Sequence, residues 1–136
     1  MKTLALLSLA AAAVAAGSTA AAAASRAPVV RYVDDQFGPV LATPKKQALY
    51  FWNAEKDFKI HCTGACAKAW PPLVVARKAA VPRTVARIKG TFGTIRRPDG
   101  RLQVTFNRRP VYTYAHESPT QVLCDDVGGW FVVRLR

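Results

Sequence analysis

Apolar residues fall along this chain in short runs, bounded by turns rich in Gly, Pro and Asp. That pattern predicts a mainly β fold with short helical turns, α+β being the alternative. Residues 29–33 predict a short strand that Asp34-Asp35 ends. Phe37-Gly38-Pro39 predicts a turn, 40–43 a strand, and 48–52 an aromatic strand, with a hairpin closing the two. In the last of these, Tyr50 and Trp52 share one face while Leu49 and Phe51 share the other. Both faces are apolar, so this strand is expected to be central and covered on both sides. Thr63 is expected to cap a short helix over 64–70, which Pro71-Pro72 stops. Residues 73–75 return to a strand, and a helical turn is expected at 84–89. Beyond it, 92–97 predicts a strand and Pro98-Asp99-Gly100 a turn. Residues 101–107 alternate, with Leu102, Val104 and Phe106 inward and Arg101, Gln103 and Thr105 outward. A strand at 111–114 and a last one at 130–135, after Gly128-Gly129, complete the pattern.

The stretch 49–73 organises the rest, because much of it returns at a constant offset of 62. Leu49-Tyr50 recurs as Val111-Tyr112, Trp52 as Tyr114, Glu55 as Glu117 and Cys62 as Cys124. Trp70 answers to Trp130 if two residues are deleted. The expected architecture is a small single domain of two tandem hairpin-based repeats. Repeat one spans about 37–75, a basic connector 76–90, and repeat two about 91–136.

Residues 1–24 read as a signal peptide. Lys2 supplies the charge, 4–16 an apolar run, and Ala22-Ala23-Ala24 the small-residue cleavage site before Ser25. The Ala-rich run is broken by Gly17-Ser18-Thr19 and is short for a bilayer of about 30 Å. The remaining 25–136 are expected to be exported, periplasmic or secreted, and not membrane-spanning. No cysteine lies near the cleavage site, so lipid anchoring is not expected. The chain carries a formal charge of +12. Between residues 76 and 109, ten Lys or Arg stand against Asp99 alone. Such a stripe attracts polyanions, and Arg83, Arg87, Arg96 and Arg97 are the candidate contacts for an anionic envelope component. No base-reading motif accompanies it, so specific nucleic-acid binding is not expected.

An exported chain can keep disulfides. Cys62 and Cys66 are four apart, within bridging reach on a helix. A bridge to Cys124, or free thiols, are the alternatives, and one of the three cysteines must be left over. The C-x-x-x-C spacing differs from the C-x-x-C of dithiol oxidoreductases. His61, Cys62 and Cys66 together match a set for a thiophilic metal such as Cu(I) or Zn(II). Cys124 with His116 permits a nucleophile–base reading. Glu55 and Glu117, equivalent in the two units, are candidates to face each other across a pseudo-twofold axis; paired carboxylates can do acid–base work. The bland alternative is a structural role. Tyr50, Trp52, Tyr112 and Tyr114 form either an aromatic ligand cleft or strand-borne core.

Four blocks of residues carry a resemblance. They are Gly38 with Leu49-Tyr50-x-Trp52-x-x-Glu55; Cys62-Thr-Gly-Ala-Cys66-Ala-x-Ala-Trp70-Pro-Pro-Leu73; Arg97-Pro-Asp-Gly100-x-x-Gln103-Val-Thr-Phe106-Asn107-x-x-Pro110-Val-Tyr112; and Gly129-Trp130-Phe-Val-Val133. Together they resemble the bacterial secreted-repeat family, predicted lipoproteins with a Tyr-x-aromatic-x-x-Asp motif. On that resemblance Tyr50, Trp52, Glu55, Trp70, Tyr112, Tyr114, Glu117 and Trp130 are the motif residues. It implies an exported two-repeat domain of largely unassigned role. The chain departs from the family in having Glu55 and Glu117 where the motif has Asp, in lacking the lipoprotein cysteine, and in carrying Cys124. The expected function is a non-enzymatic envelope module that binds or scaffolds, with no cofactor. The alternatives are a periplasmic copper- or redox-linked accessory protein using His61, Cys62 and Cys66, or a small hydrolase or lysozyme-inhibitor-like partner.

Overall fold

In the computed structural model the strands are short and antiparallel, as the alternation predicts. The structure describes residues 26–136, with 3, 5, 10–15 and 17 of the preceding stretch. The expected cleavage site at 22–25 and most of the signal segment lie outside the described residues. Strand β1 (Val30–Asp34) pairs with β2 (Gly38–Ala42). Asp34 closes this hairpin, its Oδ1 accepting the N–H groups of Gln36 and Phe37. Strand β3 (Tyr50–Trp52) follows, then helix α1 (Ala65–Ala69) and β4 (Val74–Val75). Strands β5 (Phe92–Arg96), β6 (Leu102–Phe106) and β7 (Arg109–Pro110) come next, and β8 (Trp130–Val132) is last. The central sheet runs β4-β6-β5, with β7 on β6, while β3 pairs with β8 from the far end of the chain.

Two rings of backbone hydrogen bonds tie these strands together. In the first, Leu49 N–H donates to the Leu41 carbonyl, Leu41 to Val133, and Val133 to Leu49, each at 2.9 Å. In the second, Val111 donates to Val104, Val104 to Leu73, and Leu73 to Val111, at 3.2, 2.8 and 3.1 Å. Each ring takes two strands from one half of the chain and its third from the other. The rings meet at neighbouring residues: Tyr50 and Tyr112 exchange both backbone bonds, at 2.8 and 2.9 Å.

This closure leaves the central strands covered on both faces. Leu41, Leu49, Val111 and Val133 point into one core cluster with Phe92, Val104 and Phe106. Their chain neighbours Val40, Tyr50, Tyr112 and Val132 point into the other, with Trp70, Trp130, Cys62 and Cys124. The expectation that Leu49 and Tyr50 face opposite buried sides therefore holds. The connector is not a loose linker, since Val81, Val85 and Ile88 pack on the first cluster. The helical turn expected at 84–89 is absent: Val85 and Ile88 pair as a bridge instead, and a 3-10 turn stands earlier, at Lys78–Ala80. Gly90 shows why the connector ends where it does. At φ +128 its backbone runs against Phe106, and an added Cβ would meet the ring at 2.4 Å.

Two local expectations are corrected. Thr63 does not cap α1 through its side chain; Gly64 is the N-cap residue, at φ 57, and Thr63 contributes only its carbonyl, to Cys66 N–H. Strand β6 has no exposed face, because every residue from Leu102 to Phe106 is buried. Gln103 tolerates this because both ends of its amide are bonded: Oε1 accepts from Arg97 at 2.6 Å and Nε2 donates to the Val111 carbonyl at 2.9 Å.

Candidate functional site

The residues singled out by the offset of 62 converge around the Tyr50–Tyr112 junction, and they do so crosswise. The Tyr50 hydroxyl donates to Glu117 Oε2 at 2.6 Å, and the Tyr112 hydroxyl to Glu55 Oε2 at 2.9 Å. Each tyrosine thus reaches the carboxylate of the other half. Glu55 Oε2 also accepts the backbone N–H groups of His61 and Cys62, at 2.6 and 3.1 Å. Glu117 Oε2 accepts that of Leu123 at 3.1 Å. Glu55 is 1% exposed and Glu117 7%. In each, the second oxygen, Oε1, is buried without a partner among the described residues.

Charge in so dry a place is costly. Burial raises the Glu117 carboxyl above its ordinary value, against the Tyr50 and Leu123 donors that pull it down. Burial, then the facing carboxylate, pushes both phenols far above the ordinary range. These carboxylates accept fixed donors from turn backbone and from phenols that stay protonated. The larger surface cavities are lined by other residues. The arrangement joins the two halves of the chain through buried carboxylates.

The motif aromatics form a column rather than a cleft. Trp52 stacks on Trp130 at 5.3 Å and 3°, Trp130 on Trp70 at 3.9 Å and 5°, and Tyr114 lies against Trp70 at 4.7 Å. Tyr50 and Tyr112 meet this column edge-on, at Trp70 and Trp130 respectively. Tyr50, Tyr112, Trp70 and Trp130 are buried, and Trp52 and Tyr114 are half-buried at its ends.

Cys62 and Cys66 form a disulfide across a Cα separation of 5.2 Å, and Cys124 is free and buried. With both sulfurs bridged, the set His61, Cys62 and Cys66 offers no thiolate to a metal. His61 is exposed, and its Nε2 lies 2.7 Å from Asp57 Oδ2. That contact is the main reason the Asp57 carboxyl sits below its ordinary value. Among the described residues, no group of three or more His, Cys, Asp or Glu side chains is gathered as a metal set. Burial, then the charge of Glu117, pushes the Cys124 thiol up, the opposite of what a nucleophile needs. His116 is exposed and lies edge-on to Tyr114 at 5.5 Å.

The basic stripe divides. Arg83, Arg87 and Arg96 are exposed. Arg97 does not belong with them: it is 3% exposed, and its guanidinium spans the core from Gln103 Oε1 to the Cys62 carbonyl at 2.7 Å. It braces the disulfide loop against β6. In the sequence only the resemblance block, which begins at Arg97, separates it from its neighbour Arg96; in the fold the two leave different faces of a strand end. Sequence reasoning gave no binding role to Phe37, Phe51 and Phe131, which line an open groove of about 770 Å³. Arg109 was assigned only to the stripe. It lies over the Phe51 ring at 3.9 Å and donates to the Trp52 carbonyl. None of the described residues forms a helix long and apolar enough to cross a membrane. No protein-family model, curated protein sequence or solved structure matches the chain.

Proposed function

We propose that this chain is an exported, non-enzymatic β module whose basic face holds an anionic component of the cell envelope. One observation carries the reading. The titratable residues that would serve catalysis, Glu55, Glu117 and Cys124, are buried in the fold, whereas Arg83, Arg87 and Arg96 remain exposed on the connector and β5. A rigid scaffold that displays cations fits that division of labour. The signal-like pattern of residues 1–24, the disulfide and the resemblance to the secreted-repeat family support the export part of the reading. Exposed guanidinium groups acting on a polyanion work through long-range attraction that salt screens over about 8 Å at physiological ionic strength.

The test is retention of the purified protein on a sulfated or phosphorylated polymer as salt is raised. Retention should fall steeply with salt. It should be lost when Arg83, Arg87 and Arg96 are together changed to Glu, in a protein whose thermal melt is unchanged. Retention equal to that of the parent would reduce the stripe to a solvated face.

A further inference from the structure

The groove bounded by Phe37, Phe51 and Phe131 is built unlike the rest of the surface. Phe51 of β3 and Phe131 of β8 are direct cross-strand partners. Their rings stack 6.2 Å apart at 29°, both half-buried, and make an apolar floor. Phe37, also half-buried, forms one wall, with the Arg134 guanidinium 5.1 Å from its ring. The rim is polar. Asp125 accepts from Arg134 at 2.6 Å and from the Val132 N–H at 3.1 Å, which fixes both oxygens. Asn53, Asp126 and Arg136 are exposed beside it.

Three properties of this groove select its ligand. The volume of about 770 Å³ falls within the roughly 300–1,000 Å³ typical of small-molecule sites. In a chain of formal charge +12 the rim is balanced, two Asp against two Arg, so its lining does not single out an anion. The rim carries both donors and acceptors beside an aromatic floor. A hydroxyl both donates and accepts, so a polyol suits such a rim. The C–H face of a sugar ring gains dispersion contact on a phenyl ring. The groove aromatics, two from the first half and one from the second, also lack aromatic counterparts across the repeat. At the offsets that relate the two halves, Phe51 corresponds to Thr113, Phe131 to Pro71 and Phe37 to Asp99. Tyr50, Trp52 and Trp70 of the core column all have aromatic counterparts. Phe92 and Phe106 also lack them, but those rings are buried in the core. Phe51 and Phe37 also pack at the edges of the two core clusters, while Phe131 pairs with Phe51 at the groove floor.

We propose that this groove is a binding site for an uncharged sugar ring of a glycan, seated on Phe51 and Phe131 and held by Asn53, Asp126 and Arg134. Arg83, Arg87 and Arg96, the residues named for the basic face, are not among those lining the groove. The probes are neutral tetrasaccharides of glucose, mannose, galactose and N-acetylglucosamine, titrated into isotope-labelled protein while backbone amide resonances are followed. At least one sugar should give saturable shifts centred on Phe37, Phe51, Asn53, Phe131 and Arg134. Phe131→Leu, which keeps apolar volume but removes the ring face, should weaken binding by about tenfold or more, as loss of a central anchor does. Asn53→Ala, at an exposed position, should weaken it without touching the fold. The triple Glu variant of Arg83, Arg87 and Arg96 should bind the sugar as the parent does. Absence of saturable shifts with all four sugars at millimolar concentration overturns the proposal. So does binding that survives both groove variants, or that is lost with the basic-face variant.

Discussion

Tyr50 and Tyr112 exchange both of their backbone hydrogen bonds and then send their hydroxyls past each other, each to the buried carboxylate of the opposite half. The two residues are 62 apart, as are their acceptors. One contact thus joins the two hydrogen-bond rings, the two carboxylates and the aromatic column. The shared position of Glu55 and Glu117 has a structural explanation: each holds together the turn after its own strand while receiving a phenol from the other half.

The two halves of this joint are unequally provided. Without Tyr112, Glu55 keeps two backbone donors, from His61 and Cys62; without Tyr50, Glu117 keeps only Leu123 N–H. Removing a donor from a buried acceptor costs about 1–3 kcal/mol. Both Tyr50→Phe and Tyr112→Phe should destabilise, with Tyr50→Phe the costlier. Chemical denaturation of the two variants measures this, and a double-mutant cycle with Glu117→Gln should give coupling for Tyr50 and little for Tyr112.

Glu117 also sets a pH dependence. Its folded carboxyl is raised above the ordinary 4.5 because burial disfavours the charge. Between the unfolded value and the raised folded one, the native state holds a proton that the unfolded chain has released. In that window stability therefore falls as pH rises, and the contribution is fully present only below the unfolded value. Asp57 and Asp99, both lowered and exposed, act in the opposite sense, but solvent screens them. Melting temperatures followed upward from about pH 4.5 should show a decline that Glu117→Gln flattens.

How much of this was legible depended on whether the signal was local. The two-sided burial of Leu49 and Tyr50 could be read because a strand forces neighbours to opposite faces and both faces carried apolar residues. The Cys62–Cys66 bridge lay within one turn and stood first among the alternatives. Gln103 could not be read as buried, since only Arg97 and the Val111 carbonyl, met through the fold, make it tolerable there. Arg97 was misplaced for the same reason: a run of charged residues looks uniform until the strand end decides which side chain turns inward. The exchange of Leu73 and Val133 between halves is a property of long-range pairing, which alternation along one strand does not encode.

The disulfide and the odd cysteine give a direct chemical readout. Under denaturant the protein should show one reactive thiol, on Cys124, and without denaturant that thiol should react slowly because it is buried. Reduction opens a short loop and should lower stability by about 2 kcal/mol. Metal assay of protein purified without chelators should find no stoichiometric copper or zinc. Three thiols with a bound metal, lost in Cys66→Ser, would restore the His61, Cys62 and Cys66 reading.

Arg97 and its neighbours separate brace from display. Arg83→Glu, Arg87→Glu and Arg96→Glu place new carboxylates in solvent, where surface changes usually stay within about 0.5 kcal/mol. Arg97→Glu instead buries a carboxylate beside the Gln103 Oε1 and the Cys62 carbonyl, both acceptors that lose their donor. An unpaired buried charge costs about 3–5 kcal/mol, a large share of the roughly 5–15 kcal/mol that holds a domain folded. Thermal melts of the four single variants should show three near the parent and one collapsed. Four equal melts would place Arg97 on the surface.

The strand exchange makes a last expectation sharp. Each ring of backbone bonds borrows one strand: Val133 closes the ring of Leu41 and Leu49, and Leu73 closes that of Val104 and Val111. A fragment of residues 25–76 keeps Leu41, Leu49 and Leu73 but lacks Val133, and also lacks Glu117 for Tyr50. A fragment of residues 90–136 lacks Leu73 and Glu55, and loses the packing of Ile88 against Phe92 and Phe106. Each would expose orphaned backbone groups and half of a stacked aromatic column, so each alone should be unfolded by amide dispersion and circular dichroism. Mixed at equal concentration they should regain part of the structure, because the missing strand of each ring and the missing carboxylate of each tyrosine are carried by the other, while Val81, Val85 and Ile88 of the connector are in neither. Two fragments that melt cooperatively on their own would show that the borrowed strands are dispensable and that each half is a fold in its own right.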